Sequence, residues 1–216
     1  MTDPTQQRLL EAAEQVFADK GYKAASIREI CRLAGANVAA VNYYFRDKER
    51  LYIEAVKYAN RCCTQGMPLP EWGPEVDARQ KLRDLIRVMV TRMMQPTSAA
   101  SLQLMVREMA QPTAACAEMV GEYIRPIAEK LGSILAELLP GSSDRERYMI
   151  GFSIVGQCLF YRHHRTVAAM LVGEEEFQSY DVEQVVNHIT AFTFKALDLD
   201  NKKERPGKRR ASGVTP

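Results

Sequence analysis

No stretch of this chain approaches the roughly 18 to 20 uninterrupted apolar residues that a membrane-spanning helix needs. Its polar opening, MTDPTQQR, lacks the charged-then-apolar layout of a signal peptide. The expected location is therefore cytoplasmic, with no membrane partner. Cysteine is sparse and scattered: Cys31, Cys62, Cys63, Cys116 and Cys158 are odd in number and never in CxxC spacing, which argues against a disulfide framework or a structural zinc site. They read as reduced thiols, mostly buried. There is no glycine-rich phosphate loop, no GxSxG and no HExxH, and the histidines lie late in the chain away from any paired Asp or Cys. The adjacent pair His163 and His164 would project about 100° apart on a helix, a poor geometry for a shared metal. The expectation is no enzyme, no cofactor and no metal. Nor does any useful length alternate apolar and polar residues with period two, so a sheet is excluded.

What is present is helical periodicity, in a chain whose 216 residues and 46% hydrophobic content suffice for a real core. From Gln6 to Lys20, Leu9, Leu10, Ala13, Val16 and Phe17 fall on one helical face, and Gly21 supplies a stop. Ser26 and Glu29 have the spacing of a capping box for a second helix, which Gly35 ends. Asn37 can cap a short third helix and Asp47 a fourth. The proline- and glycine-rich GMPLPEWGPEVD then breaks the pattern. Helical patterning returns from about Ala78 to Met93, from Ser98 to Ala110, from Thr113 to Leu139 with Pro126 expected to kink or split it, from Asp144 to Val172, and from about Asp181 to Leu199. The fold class is all-α with about nine helices. The divisions read as residues 1–60, an N-terminal three-helix unit with a helix-turn-helix; 61–200, a larger helical region; and 201–216, a basic tail expected to be disordered.

Charge is spread unevenly under the formal net of +2. Residues 1–65 carry 10 Lys/Arg against 8 Asp/Glu, residues 66–200 carry 13 against 18, and residues 201–216 carry 6 against 1, which points the two ends toward a polyanion and the middle away from it. The third helix, within GANVAAVNYYFRDKERL, sharpens this. Val38, Val41 and Phe45 are spaced for a packed face, leaving Asn37, Ala39, Ala40, Asn42, Tyr43 and Tyr44 for the other. A recognition helix needs one face on its domain and another offering hydrogen-bonding groups to base edges and phosphates. Asn42 has the amide that can bridge two major-groove atoms of adenine, the tyrosine hydroxyls suit phosphates, and Lys48 at a helix start suits phosphate anchoring. The competing reading is a helical interaction protein without DNA binding.

Residues 5–51 resemble the DNA-binding region of the TetR family of bacterial transcriptional regulators, through LLEAAEQVFADKGY, SIREICRLAGAN and VNYYFRDKERL. The resemblance implies DNA contacts from Ser26 and Arg28, from Asn37, Val38, Asn42, Tyr43 and Tyr44, and from Lys48. Ala39 stands where a glycine is frequent and Asn42 where a tyrosine is frequent, so the operator sequence cannot be borrowed. The second half is similar to the C-terminal domain of CecR-type regulators, through LMVREMAQPT and YIRPIAEKL.

One small helix-turn-helix contacts only a few base pairs, so a homodimer reading a near-palindrome on double-stranded operator DNA is expected. The helices from Tyr148 to Leu171 and from Val182 to Leu197 are more apolar than a single buried face requires and are the candidates for its interface. Methionines at helical spacing in the middle, including Met89, Met93, Met105 and Met109, suit an adaptable small-molecule pocket as well as ordinary core. Arg107, Tyr123 and Gln157, with Phe160 and His163, are the side chains that would complete such a pocket. Together these features describe a ligand-responsive DNA-binding regulator, a repressor released from its operator by a small-molecule inducer.

Overall fold

The computed structural model describes residues 3–64 and 66–199; the basic tail at 201–216 lies outside the described residues. Those residues form twelve α-helices and no strand: α1 Pro4–Ala24, α2 Ile27–Ala34, α3 Val38–Phe45, α4 Lys48–Thr64, α5 Ala78–Met94, α6 Ala99–Ala110, α7 Ala114–Met119, α8 Arg125–Leu138, α9 Asp144–His163, α10 Arg165–Val172, α11 Glu174–Ser179 and α12 Val182–Ala196. A π-helical turn, Val120–Ile124, joins α7 to α8.

The count exceeds nine for local reasons. Pro126, expected to kink or split the run from Thr113 to Leu139, cannot donate a backbone hydrogen bond, and the π-turn Val120–Ile124 stands just before it, the backbone staying helical from α7 into α8. His164 leaves helical geometry and divides α9 from α10. The short acidic EEEFQS of α11 has no apolar period to announce it. Among the described residues no helix is long and apolar enough to cross a membrane.

Two apolar clusters organise the molecule. The first gathers Leu9, Ala13 and Phe17 of α1, Ile30 of α2, Val41 and Phe45 of α3 and Leu51, Ala55 and Val56 of α4. Leu104 of α6 and Met119 of α7 complete it, so the N-terminal unit closes its core with helices from beyond the proline-rich loop. The second cluster joins Leu82, Leu85 and Ile86 of α5, Ile134 and Leu135 of α8, Ile154 of α9 and Val186 and Ile189 of α12. Capping fixes many starts. Asp77 accepts from the Arg79 and Gln80 amides, and reciprocal capping boxes open α9 (Ser143, Glu146) and α12 (Asp181, Gln184).

Candidate DNA interface and ligand cavity

The turn between α2 and α3 is built from Gly35 and Asn37. Gly35 takes the left-handed conformation at φ 59, which a side chain resists, and Asn37 Oδ1 accepts from the Ala40 amide at 2.9 Å. The expected capping box at Ser26 does not form. Ser26 makes no side-chain cap bond, and the Glu29 carboxylate that would accept from the Ser26 amide is held instead by Lys20 of α1, whose Nζ lies 2.7 Å from Oε1 and 2.8 Å from Oε2. Ser26 and Arg28 both remain exposed. On α3 only Val41 and Phe45 are buried. Val38 shares the angular position of Phe45 but opens the helix, and it is exposed, which corrects its assignment to the packed face.

Asn37, Ala39, Asn42 and Tyr43 are exposed on the same short helix, and Tyr43 retains 81% of its surface. Tyr44 is half-buried against the core, and the nearby Asp3 carboxylate pushes its pKa above the usual phenol value. Arg46 follows at φ 70, and the Asp47 amide donates to the Phe45 carbonyl at 2.9 Å, a tight three-residue turn that redirects the chain into α4. Asp47 caps α4 as its sequence predicts, its Oδ1 accepting from the Arg50 amide at 2.8 Å. Lys48 is tied to the end of α1: Nζ donates to the Lys23 carbonyl at 3.3 Å and lies 4.9 Å above the Tyr22 ring.

Behind this surface a buried polar seam joins α6 to α1 and α4. The fully buried Glu108 carboxylate accepts from the Tyr52 hydroxyl at 2.6 Å and from the Thr113 amide and hydroxyl at 2.7 and 2.9 Å. Burial and this carboxylate push the Tyr52 phenol far above its usual range. Arg107 donates to the Ala18 and Asp19 carbonyls of α1 at 3.2 and 3.4 Å. Gly21, at φ 76, leaves room for it: a Cβ there would stand 2.9 Å from the guanidinium.

Between the two apolar clusters lies a cavity of about 1100 Å³, at the upper end of the size usual for small-molecule sites. Its wall is largely apolar. Met89 and Met93 come from α5, Leu102, Met105 and Met109 from α6, Met119 from α7, Ile127 and Leu131 from α8, and Val155 and Leu159 from α9. Asn60, Arg61, Cys63 and Thr64, the last turns of α4, form part of the same wall. One helix therefore carries Lys48 beside the recognition helix at its start and cavity residues at its end, about 24 Å apart at 1.5 Å per residue.

Comparison with known proteins agrees in both halves. Residues 9–55 match the family model of the bacterial regulatory proteins of the tetR family, and residues 78–197 match that of the C-terminal domain of the HTH-type transcriptional dual regulator CecR. The chain belongs to the TetR family, with a CecR-type C-terminal domain. It is 26% identical to CecR of Shigella flexneri over 199 residues, covering 87% of this chain and 89% of that protein. Over 56 residues it is 36% identical to the HTH-type transcriptional repressor NicS of Pseudomonas putida, which spans 26% of each chain. The similarity to the probable regulator YttP of Bacillus subtilis is shorter still, 41% over 44 residues and 21% of that protein. The fold is shared with GusR of Salmonella enterica, at a TM-score of 0.59 and 17% identity over 90% of this chain and 96% of that one. It is shared also with a TetR-like regulator of Rhodococcus, at 0.54 and 20% over 90% and 96%.

In this TetR-family chain the expected cavity residues divide. Met89, Met93, Met105, Met109 and Tyr123 line the cavity, as does His163. Arg107, Gln157 and Phe160 do not: Arg107 turns to α1, Gln157 donates to the Ser153 carbonyl of its own helix at 3.3 Å, and Phe160 is stacked on His164. Sequence reasoning missed Arg92 and Arg162, which line the cavity, and the buried Glu108. Each reads in sequence as a solvated charge on a helix, with no signal of its own. The cysteines are free, and Cys31, Cys63 and Cys158 are buried; burial pushes the Cys158 thiol up to about 12.

Proposed function

We propose that this TetR-family regulator is a cytoplasmic homodimeric repressor that leaves its operator when a small molecule fills the cavity. The observation that carries the reading is α4, one rigid helix anchored beside the recognition helix at one end and exposed to the cavity at the other. A ligand that alters the wall at Asn60 to Thr64 moves a lever whose far end sets the spacing of two recognition helices, and only one spacing fits successive major grooves. Asn42 and Tyr43, with Asn37 and Val38, are the side chains this reading places at base edges and phosphates. Ser26, Arg28, Tyr44 and Lys48 position the unit on the DNA backbone. The domain division follows function: residues 1–60 read DNA, and 61–200 bind ligand and dimerise, with α6 and α7 lent to the core of the N-terminal unit.

Selecting bound fragments from the source genome and titrating them with the full-length protein tests this. Asn42→Ala is expected to cost about 1–3 kcal/mol on the best site and little on scrambled sites, flattening discrimination. Lys48→Ala should weaken all sites by a similar factor and make the dependence on salt shallower. Equal losses from both variants on good and scrambled DNA would contradict these roles.

A further inference from the structure

The apolar lining of the cavity is interrupted by two arginines that no carboxylate among the described residues answers. Arg162, on α9, is only 9% exposed. Its Nη2 donates to the carbonyls of Cys63 at 3.0 Å, Gln95 at 3.4 Å and Arg92, while its Nε is buried without an acceptor. Arg92, on α5, donates Nη2 to the Met67 carbonyl, and its Nε is likewise buried without an acceptor. Both side chains line the cavity. The acids in the same wall are engaged elsewhere or apart: Glu122 pairs with Lys57 at 2.5 Å, Asp144 pairs with Arg147, and the exposed Glu129 forms no ion pair with either arginine. Carbonyl oxygens offer partial charge only, so two guanidiniums sit in a desolvated place without a counter-ion among the described residues, and burial pulls both below their ordinary pKa.

We propose that the ligand of this cavity is an amphipathic anion, with an apolar body against the methionine and aliphatic wall and one carboxylate or phosphate group received by Arg92 and Arg162. This rests on the reading of the cavity as the effector site and names the effector's chemistry. A neutral polar group would satisfy one N–H and leave the charge; an anion answers both and takes the forked, charge-assisted bonds that guanidinium favours. The same step supplies the coupling. Cys63 lies in the last turn of α4, and its carbonyl shares Arg162 Nη2 with Arg92 and Gln95. An arriving anion competes with that carbonyl for the guanidinium and loosens the tie between α9 and α4.

Calorimetric titration of the full-length protein with decanoate, decyl phosphate, decanol and decyltrimethylammonium, each below its micelle threshold, tests the assignment. At least one anion should bind about tenfold or more tighter than decanol, with the cation weakest. Arg162→Gln and Arg92→Gln should each remove that preference while leaving decanol affinity within about twofold, since the apolar wall is untouched. Circular dichroism checks the fold. If Arg162→Gln unfolds, Arg92→Gln and the charge-retaining Arg162→Lys carry the test, the lysine keeping part of the preference. Decanol binding as tightly as both anions overturns the proposal and leaves the effector reading standing; binding of none of the probes overturns both. For coupling, the anion should release operator DNA from the wild type and from neither glutamine variant, and release from both variants would refute the role given to Arg162.

Discussion

Glu14 is buried in the seam between α1 and α6, where its carboxylate accepts from the Ser101 hydroxyl. Burial raises its pKa above the ordinary value of 4.5, with the Ser101 bond opposing and Glu11 adding a little. The folded chain therefore holds this proton more tightly than the unfolded one. As pH rises past about 4.5 the unfolded state ionises first, and the stability contributed by the protonated form is lost as pH climbs through the folded value. Glu14→Gln keeps an acceptor for Ser101 and removes the charge. Its melting temperature should exceed that of the wild type by a few degrees at pH 7.5, at about 2–4 °C per kcal/mol for a chain of this size, and the gap should close toward pH 4.5. A gap that stays constant across that range would show that the charge is not its source.

Among the elements, α6 has the largest hand in joining the halves. It lends Leu104 to the N-terminal core, Arg107 to the end of α1 and Glu108 to Tyr52 of α4, while Met105 and Met109 face the cavity. Tyr52→Phe leaves Glu108 its two Thr113 donors but removes the tie to α4. The expected cost is about 1–2 kcal/mol in urea unfolding, with a weakened release of DNA by ligand. Full stability with an unchanged ligand response would remove this seam from the coupling. The caps at Asn37 and Asp47 were legible in sequence because a cap is a local event, settled within a few residues. The outward face of α3 was legible in part: Asn37, Ala39, Asn42 and Tyr43 are exposed as read, while Ala40 and Tyr44 pack partly on the core and Val38 does not. The reciprocal half of the Ser26 box was lost because Lys20 claimed the Glu29 carboxylate, and that competitor comes from another helix. Arg107, Gln157 and Phe160 were misplaced because period gives a residue's angle on its own helix and not which neighbour lies there. Arg162 shows the reverse: an arginine near a helix end reads as solvated until the fold closes α4 and α5 over it.

At the scale of the whole molecule, exposed apolar side chains remain on α9 and α12, as they do on α10 at Val167, Met170 and Leu171. Tyr148, Met149 and Phe152 of α9 and Phe192 of α12 are exposed, Phe152 at 71% and Phe192 at 57%, on two helices that pack against each other and against α5 in the second core. Tyr148 and Phe152 also border the cavity, but large apolar side chains this exposed are costly to leave in water, and a second copy would cover them. The two-fold pairing follows from operator reading as well as from burial, because linking two weak DNA-binding units raises affinity about 10²- to 10⁴-fold without any new contact to DNA. Phe192→Glu separates these terms. In a two-fold interface the new carboxylate enters from both copies, so its desolvation and its like-charge partner oppose association, while within one chain an exposed position tolerates it. Sedimentation should find a monomer with unchanged helical content, operator affinity reduced by about a hundredfold or more, and a salt dependence of binding close to half that of the wild type. A Phe192→Glu protein that sediments as a dimer and holds its operator at full affinity would place the interface elsewhere on the chain.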